Sequence, residues 1–141
     1  MFQTLLLGKK ASQFLLFAML LALSPFTHAE DEAAPVMPVY IELKPDFIVN
    51  YIAPGPKLRY IKAGISLRSD STQAGVIQGN MPIVRDAIVM FLSSRTGEQI
   101  SGALAREETR KESVGAINAA LKEETGMEPV MDVLFTSFVT Q

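Results

Sequence analysis

Two stretches of alternating apolar residues, joined by the turn Ala53-Pro54-Gly55-Pro56, limit most tightly what this chain can fold into. From Val39, apolar side chains recur at Ile41, Leu43, Phe47, Val49 and Tyr51, with Glu42, Lys44, Asp46 and Asn50 between them. That is the two-residue period of a strand with one face buried. Pro45 interrupts the run, and a residue with no N–H to donate places the strand at a sheet edge or marks a bulge. Beyond the turn, Leu58 to Ser69 alternates again, with Ile61, Ala63, Ile65 and Leu67 facing one way and Arg59, Lys62, Ser66 and Arg68 polar. A hairpin with one apolar face needs a cover of helices.

The following residues supply that cover. Asp70 to Asn80 suits a short helical turn, and Asn80 is placed to cap a longer helix with Pro82 in its first turn, where a missing N–H costs nothing. Val84, Ala87, Ile88, Phe91 and Leu92 then form a core-facing stripe over Pro82 to Ser94. Thr96 and Gln99 have the spacing of a capping box for a brief helix before Gly102. A longer helix is predicted from about Ala103 to Glu124, with Val114, Ile117 and Leu121 inward, Arg106 to Glu112 outward, and Gly126 as its C-terminal cap. Val130 to Thr140 carries Val133, Leu134, Phe135, Phe138 and Val139, apolar on both faces, and predicts a central strand. The fold class expected is α+β, a small mixed sheet covered by two main helices.

The first 29 residues have the order of an export signal. Lys9 and Lys10 precede a ten-residue apolar run from Phe14 to Leu23, then Ser24-Pro25, then small residues at Thr27 and Ala29. The run is short beside the roughly 20 residues of helix that cross a bilayer, which favours signal cleavage after Ala29 over an uncleaved anchor. Residues 30–38, with three acidic residues, two Pro and two Ala, read as a linker, and residues 39–141 as one domain. Removal of Lys9 and Lys10 from 13 basic residues leaves 11 against 15 acidic, a net charge of −4. An acidic chain with no basic cluster is unsuited to nucleic acid, and its net sign argues against docking on anionic lipid.

Chemistry is scarce. There is no Cys, and the single histidine, His28, lies in the signal region, so thiolate nucleophiles, imidazole bases and the usual zinc ligands are missing beyond it. Glu107, Glu108 and Glu112, and separately Glu123, Glu124 and Glu128, read as solvated helix charges and not as a divalent-cation site. The isolated Gly75, Gly79, Gly97, Gly102 and Gly126 form no phosphate loop. No catalytic, cofactor or metal site is expected. Asn118 is read as bonding backbone. Arg85, Asp86 and Val89 are left over once the core stripe of their helix is assigned, and are the candidate interface. The ordinary account of Arg85 and Asp86 is electrostatic support early in a helix.

Five segments, in order, carry a resemblance: Val39 to Asn50, Leu58 to Leu67, Pro82 to Ser93 with Arg95-Thr96, Ile117-Asn118 with Leu121, and Val133 to Gln141. Together they resemble the FliL family of flagellar basal-body-associated proteins, with Pro82 to Ser93 the closest block. The resemblance implies a periplasmic domain of the stomatin and prohibitin type behind a short membrane helix. It also implies a non-enzymatic accessory, a ring-like homo-oligomer beside the stator at the inner membrane, supporting rotation and motility. The short apolar run and the polar segment Arg106 to Ser113 depart from the family pattern. The residues alone leave two rivals, a periplasmic binding or assembly adaptor unrelated to flagella and a carboxylate enzyme.

Export with cleavage has a direct check: the intact mass of protein recovered from the periplasm should begin at Glu30. A mass that includes Met1 to Ala29, together with membrane fractionation, would restore the anchor.

Overall fold

The structure, a computed structural model, describes residues 35–141; the cleavage after Ala29 and linker residues 30–34 lie outside them. Strand β1 (Pro38–Asn50) pairs antiparallel with β2 (Tyr60–Asp70), and β2 pairs antiparallel with β3 (Asp132–Thr140). Helices α1 (Ala74–Gly79), α2 (Met81–Ser93), α3 (Gly97–Ile100) and α4 (Gly102–Thr125) fall between β2 and β3 in sequence. The α+β class holds, with two corrections. Every ladder is antiparallel, so the sheet is not mixed, and the order β1-β2-β3 makes β2 central and β3 an edge.

The reason β3 looks central in sequence is a bulge. Gly64 faces Ser137 and Ile65 faces Phe135, which leaves Thr136 unpaired. The extra residue breaks the two-residue period, so Phe135 and Phe138 fall on the same, helix-covered face with ring centroids 4.9 Å apart. Leu134 and Val139 then face the uncovered side. A second irregularity lies in β1: Leu43 faces Ile65 and Phe47 faces Ala63, so Lys44, Pro45 and Asp46 bulge opposite Gly64. Pro45 thus has both features its chemistry demands, an edge strand and a bulge. Gly64 sits between the two irregularities with no room for a side chain. A Cβ there would lie 2.6 Å from Thr136 Oγ1 and 2.9 Å from Ser137 Oγ, and the Gly64 N–H donates to that Ser137 Oγ at 2.9 Å.

The core lies between one sheet face and the helices. Ile41, Leu43, Phe47 and Val49 of β1 and Ile61, Ala63, Ile65 and Leu67 of β2 are buried against Ile77, Val84, Ile88, Leu92, Ile100, Ile117 and Leu121. Each fully buried aliphatic contributes about 1.5–3 kcal/mol. The α2 stripe is as expected, with Ala87 and Phe91 half-buried at its margins. Pro82 lies in the first turn of α2, Gly126 closes α4 at φ 72, and Thr96 with Gln99 forms the capping box. Asn80 does not cap through its side chain; its Nδ2 donates instead to Val76 O at 2.8 Å, back along α1.

Helix α4 departs further. Its inward line runs Thr109, Ser113, Ile117, Leu121, with Val114 half-buried, so the segment Arg106 to Glu112 is not wholly outward. Thr109 Oγ1 donates to Gln99 O at 2.7 Å, and Arg110 turns to the edge of the sheet, donating to Val133 O at 2.8 Å and pairing with Asp132. Polar groups buried with partners cost little, so a helix can pack through hydroxyls where its apolar period fails. Asn118 clamps the chain beyond α4 from both sides: Nδ2 donates to Val130 O at 2.8 Å and Oδ1 accepts from Val130 N at 2.9 Å.

Two glycines provide a paired test of this account. Gly64→Ala should lower stability by about 1–3 kcal/mol through overpacking. Gly75→Ala, in α1 with nothing within 4 Å of the new Cβ, should raise it by roughly 0.4–1 kcal/mol. Denaturant unfolding reads both, and a Gly64→Ala chain as stable as the parent would show that the bulges relax without cost.

Candidate interaction surface

Helix α2 presents Asp86, Val89 and Met90 to solvent, Val89 at 40 % and Met90 at 64 % exposure. Asp86 stands on one wall of an open groove of about 400 Å³ between α2 and α4, together with Pro82, Ile83, Ala120, Glu123 and Glu124. Arg85 has a different place. It is half-buried, its guanidinium carbon 4.2 Å from the centre of the Phe47 ring, and its Nη2 donates to Pro45 O at 2.9 Å. The side chain therefore braces α2 against the β1 bulge, and it is not paired with its neighbour Asp86.

Arg85 is one of three such contacts that sequence reasoning missed. Arg95 stacks on Phe91 at 4.2 Å and pairs with Glu112 of α4, while Arg106 lies 5.3 Å from Phe138 of β3 and donates from Nε to Ile100 O at 3.1 Å. Cation–π contacts of this kind contribute about 0.5–1 kcal/mol each where exposed and more where desolvated. Each arginine joins two elements or stiffens a helix end. Nothing in the spacing of Arg and Phe along the chain announces the first or third, because their partners lie far away in sequence.

The carboxylates divide into paired and unpaired. Glu107 accepts from Arg110 Nη2 and Nε at 2.7 Å, Glu112 pairs with Arg95, and Glu128 pairs with Lys122 at 3.0 Å, whereas Glu108, Glu123 and Glu124 are exposed with no ion-pair partner among the described residues. Among the described residues no group of three His, Cys, Asp or Glu side chains is arranged to hold a metal ion. The hydrogen bond from Arg110 holds the Glu107 carboxyl well below its ordinary 4.5, at about 2, with the nearby charges of Arg110 and Lys111 acting in the same direction. A carboxylate with a depressed pKa stabilises the fold above its ordinary value, and that contribution is lost as pH falls through the depressed one. Unfolding midpoints should therefore decline between pH 4.5 and about 2, and Glu107→Gln should remove part of that decline. An identical acid profile in the variant would show the pair to be inert.

Among the described residues, no helix is long and apolar enough to cross a membrane. Residues 40–141, from Tyr40 near the start of β1 to the last residue, match the family model described as flagellar basal body-associated protein FliL. The flagellar protein FliL of Aquifex aeolicus (strain VF5) is 34% identical over 110 residues, which cover 77% of this chain and 65% of that protein. The match thus spans just under two thirds of the relative's length. The residues matched by the family model include both bulges, the braced helix α2 and the Asn118 clamp, and on the two matches the chain belongs to the FliL family of flagellar basal body-associated proteins.

Proposed function

We propose that this chain works at the flagellar basal body as a non-enzymatic accessory that assembles with copies of itself beside the motor stator, on the periplasmic side of the inner membrane, and supports rotation and motility. The observation that carries the reading is the exposed strip Asp86, Val89 and Met90 on α2, inside the matched residues and held in place by Arg85. A contact helix must keep its position under load. Arg85 provides that by tying α2 to the backbone of the β1 bulge.

The architecture supports assembly in a ring. Helices cover one sheet face, while the other face and the two unequal edges, β1 and β3, remain outside the core. A subunit with dissimilar sides makes heterologous contacts, which close into rings when the rotation per subunit allows. A three-stranded antiparallel sheet under helices is also compatible with the stomatin and prohibitin type of domain that the resemblance implies.

The strip and its brace should behave differently when changed. Val89→Asp combined with Met90→Asp should reduce self-association and swarming while leaving stability within about 0.5 kcal/mol, as for exposed positions in general. Arg85→Glu should instead lower stability by about 1–3 kcal/mol, because it removes a charged hydrogen bond and the ring contact and leaves the Pro45 carbonyl without its donor. Analytical ultracentrifugation, swarming assays and thermal unfolding separate the two. Normal swarming by a folded Val89→Asp, Met90→Asp chain would remove α2 from the contact.

A further inference from the structure

Unpaired charge is segregated in this molecule. Among the described residues, the exposed cations with neither an ion-pair partner nor a stacked ring are Lys57, Arg59 and Lys62, at the start of β2 or in the loop that leads into it. The exposed carboxylates without ion-pair partners, Asp86, Glu98, Glu108, Glu123 and Glu124, all lie on helices. The acidic sum of the whole chain conceals a basic end.

That end also carries the most exposed large apolar side chain among the described residues. Leu58 is 82 % exposed between Lys57 and Arg59, and Ile52 across the same loop is 57 % exposed. The two ends of the loop are tied down. Tyr51 N donates to Arg59 O at 3.2 Å, Ile52 N to Arg95 O at 2.8 Å, and Gly97 N to Ile52 O at 3.2 Å, while Pro54 and Pro56 flank Gly55 at φ 93. A projecting leucine on an anchored loop loses little entropy on binding. One carboxylate, Glu98, shares a shallow groove with Ile52 and Pro54 on the helix side of the loop.

We propose that the loop between β1 and β2 is a docking tip for an anionic phospholipid bilayer, with Leu58 entering the acyl boundary and Lys57, Arg59 and Lys62 held at the phosphates. The complementarity is one of both charge and depth. A bilayer surface offers negative charge directly above hydrocarbon, and the tip offers an apolar side chain directly beside cations whose stems reach back to the phosphates. Apart from Glu98, the unpaired helix carboxylates lie on α2 and α4, so the charge distribution orients the tip toward an anionic surface although the net charge opposes the approach. This inference does not rest on the stator reading.

The chain contains no tryptophan, so Leu58→Trp introduces a single reporter into the full-length protein. On vesicles of phosphatidylglycerol and phosphatidylcholine its emission should shift to the blue and be quenched by brominated acyl chains, and on pure phosphatidylcholine it should do neither. At about 1 kcal/mol per cation, adding Lys57→Gln and Arg59→Gln should lower the ratio of docked to undocked tip roughly 30-fold. Met131→Trp, 55 % exposed at the opposite end of the sheet beside Arg68, should keep the emission of a water-exposed indole throughout, and circular dichroism should be the same for every variant. Water-exposed emission from the Leu58→Trp chain on both vesicle types overturns the proposal. So does a shift that is equal on neutral vesicles and survives loss of the two cations, or an equal shift from Met131→Trp. Motility is not read in this experiment, so its failure leaves the stator reading standing.

Discussion

Gly64 is the residue on which the sheet depends. It sits on the central strand, and both neighbouring strands bulge against it, β1 with Lys44, Pro45 and Asp46 and β3 with Thr136. A bulge bends its strand and increases the local twist, and two at one level concentrate the bend there. Only a residue without Cβ leaves space for Thr136 and Ser137 to close on the central strand, and the Gly64 N–H then finds its acceptor on Ser137 Oγ. The curvature this permits brings Phe135 and Phe138 onto one face, where Arg106 of α4 can reach the second ring.

The helix layer is fastened to that curved sheet in two ways. Over its centre the contact is apolar, Val84, Ile88, Leu92, Ile117 and Leu121 against the strands. Around the margin it is made by arginines: Arg85 to the β1 bulge, Arg110 to the β3 edge, and Arg106 to the Phe138 ring of β3. Arginine suits this work because its planar group stacks on a ring while donating from its edge. The first half of α4, which lacks an apolar stripe, is attached by such polar contacts together with the buried Thr109 and Ser113.

Periodicity and cap spacing make the hairpin, the α2 stripe, the capping box and the Gly126 stop legible in the sequence. Those features are local, decided by residues within a few positions of one another. What was hidden depends on partners far along the chain. The shared face of Phe135 and Phe138 follows from the β3 bulge opposite Gly64, the inward turn of Arg110 follows from Asp132 and Val133, and the anchoring of Arg85 follows from Phe47 and Pro45. The candidate surface was legible in part for the same reason. Asp86 and Val89 are exposed as their helical phase suggests, whereas Arg85 is long enough to leave its phase and cross to another element.

The Asn118 clamp has a consequence for the order in which the chain assembles. The hairpin closes between near neighbours, Asn50 with Tyr60, whereas β3 joins β2 by pairing Arg68 with Asp132 and Ile61 with Thr140, a far longer loop to close. Contacts that distant form slowly unless something nearer holds the arriving strand. Asn118 grips Val130 by both of its backbone groups across a short span, so β3 is carried by α4 as a prealigned arm. Once α4 docks on the hairpin, the last strand reaches its ladder at high local concentration, and the free edge of β2 stays open to other chains for only a brief part of folding.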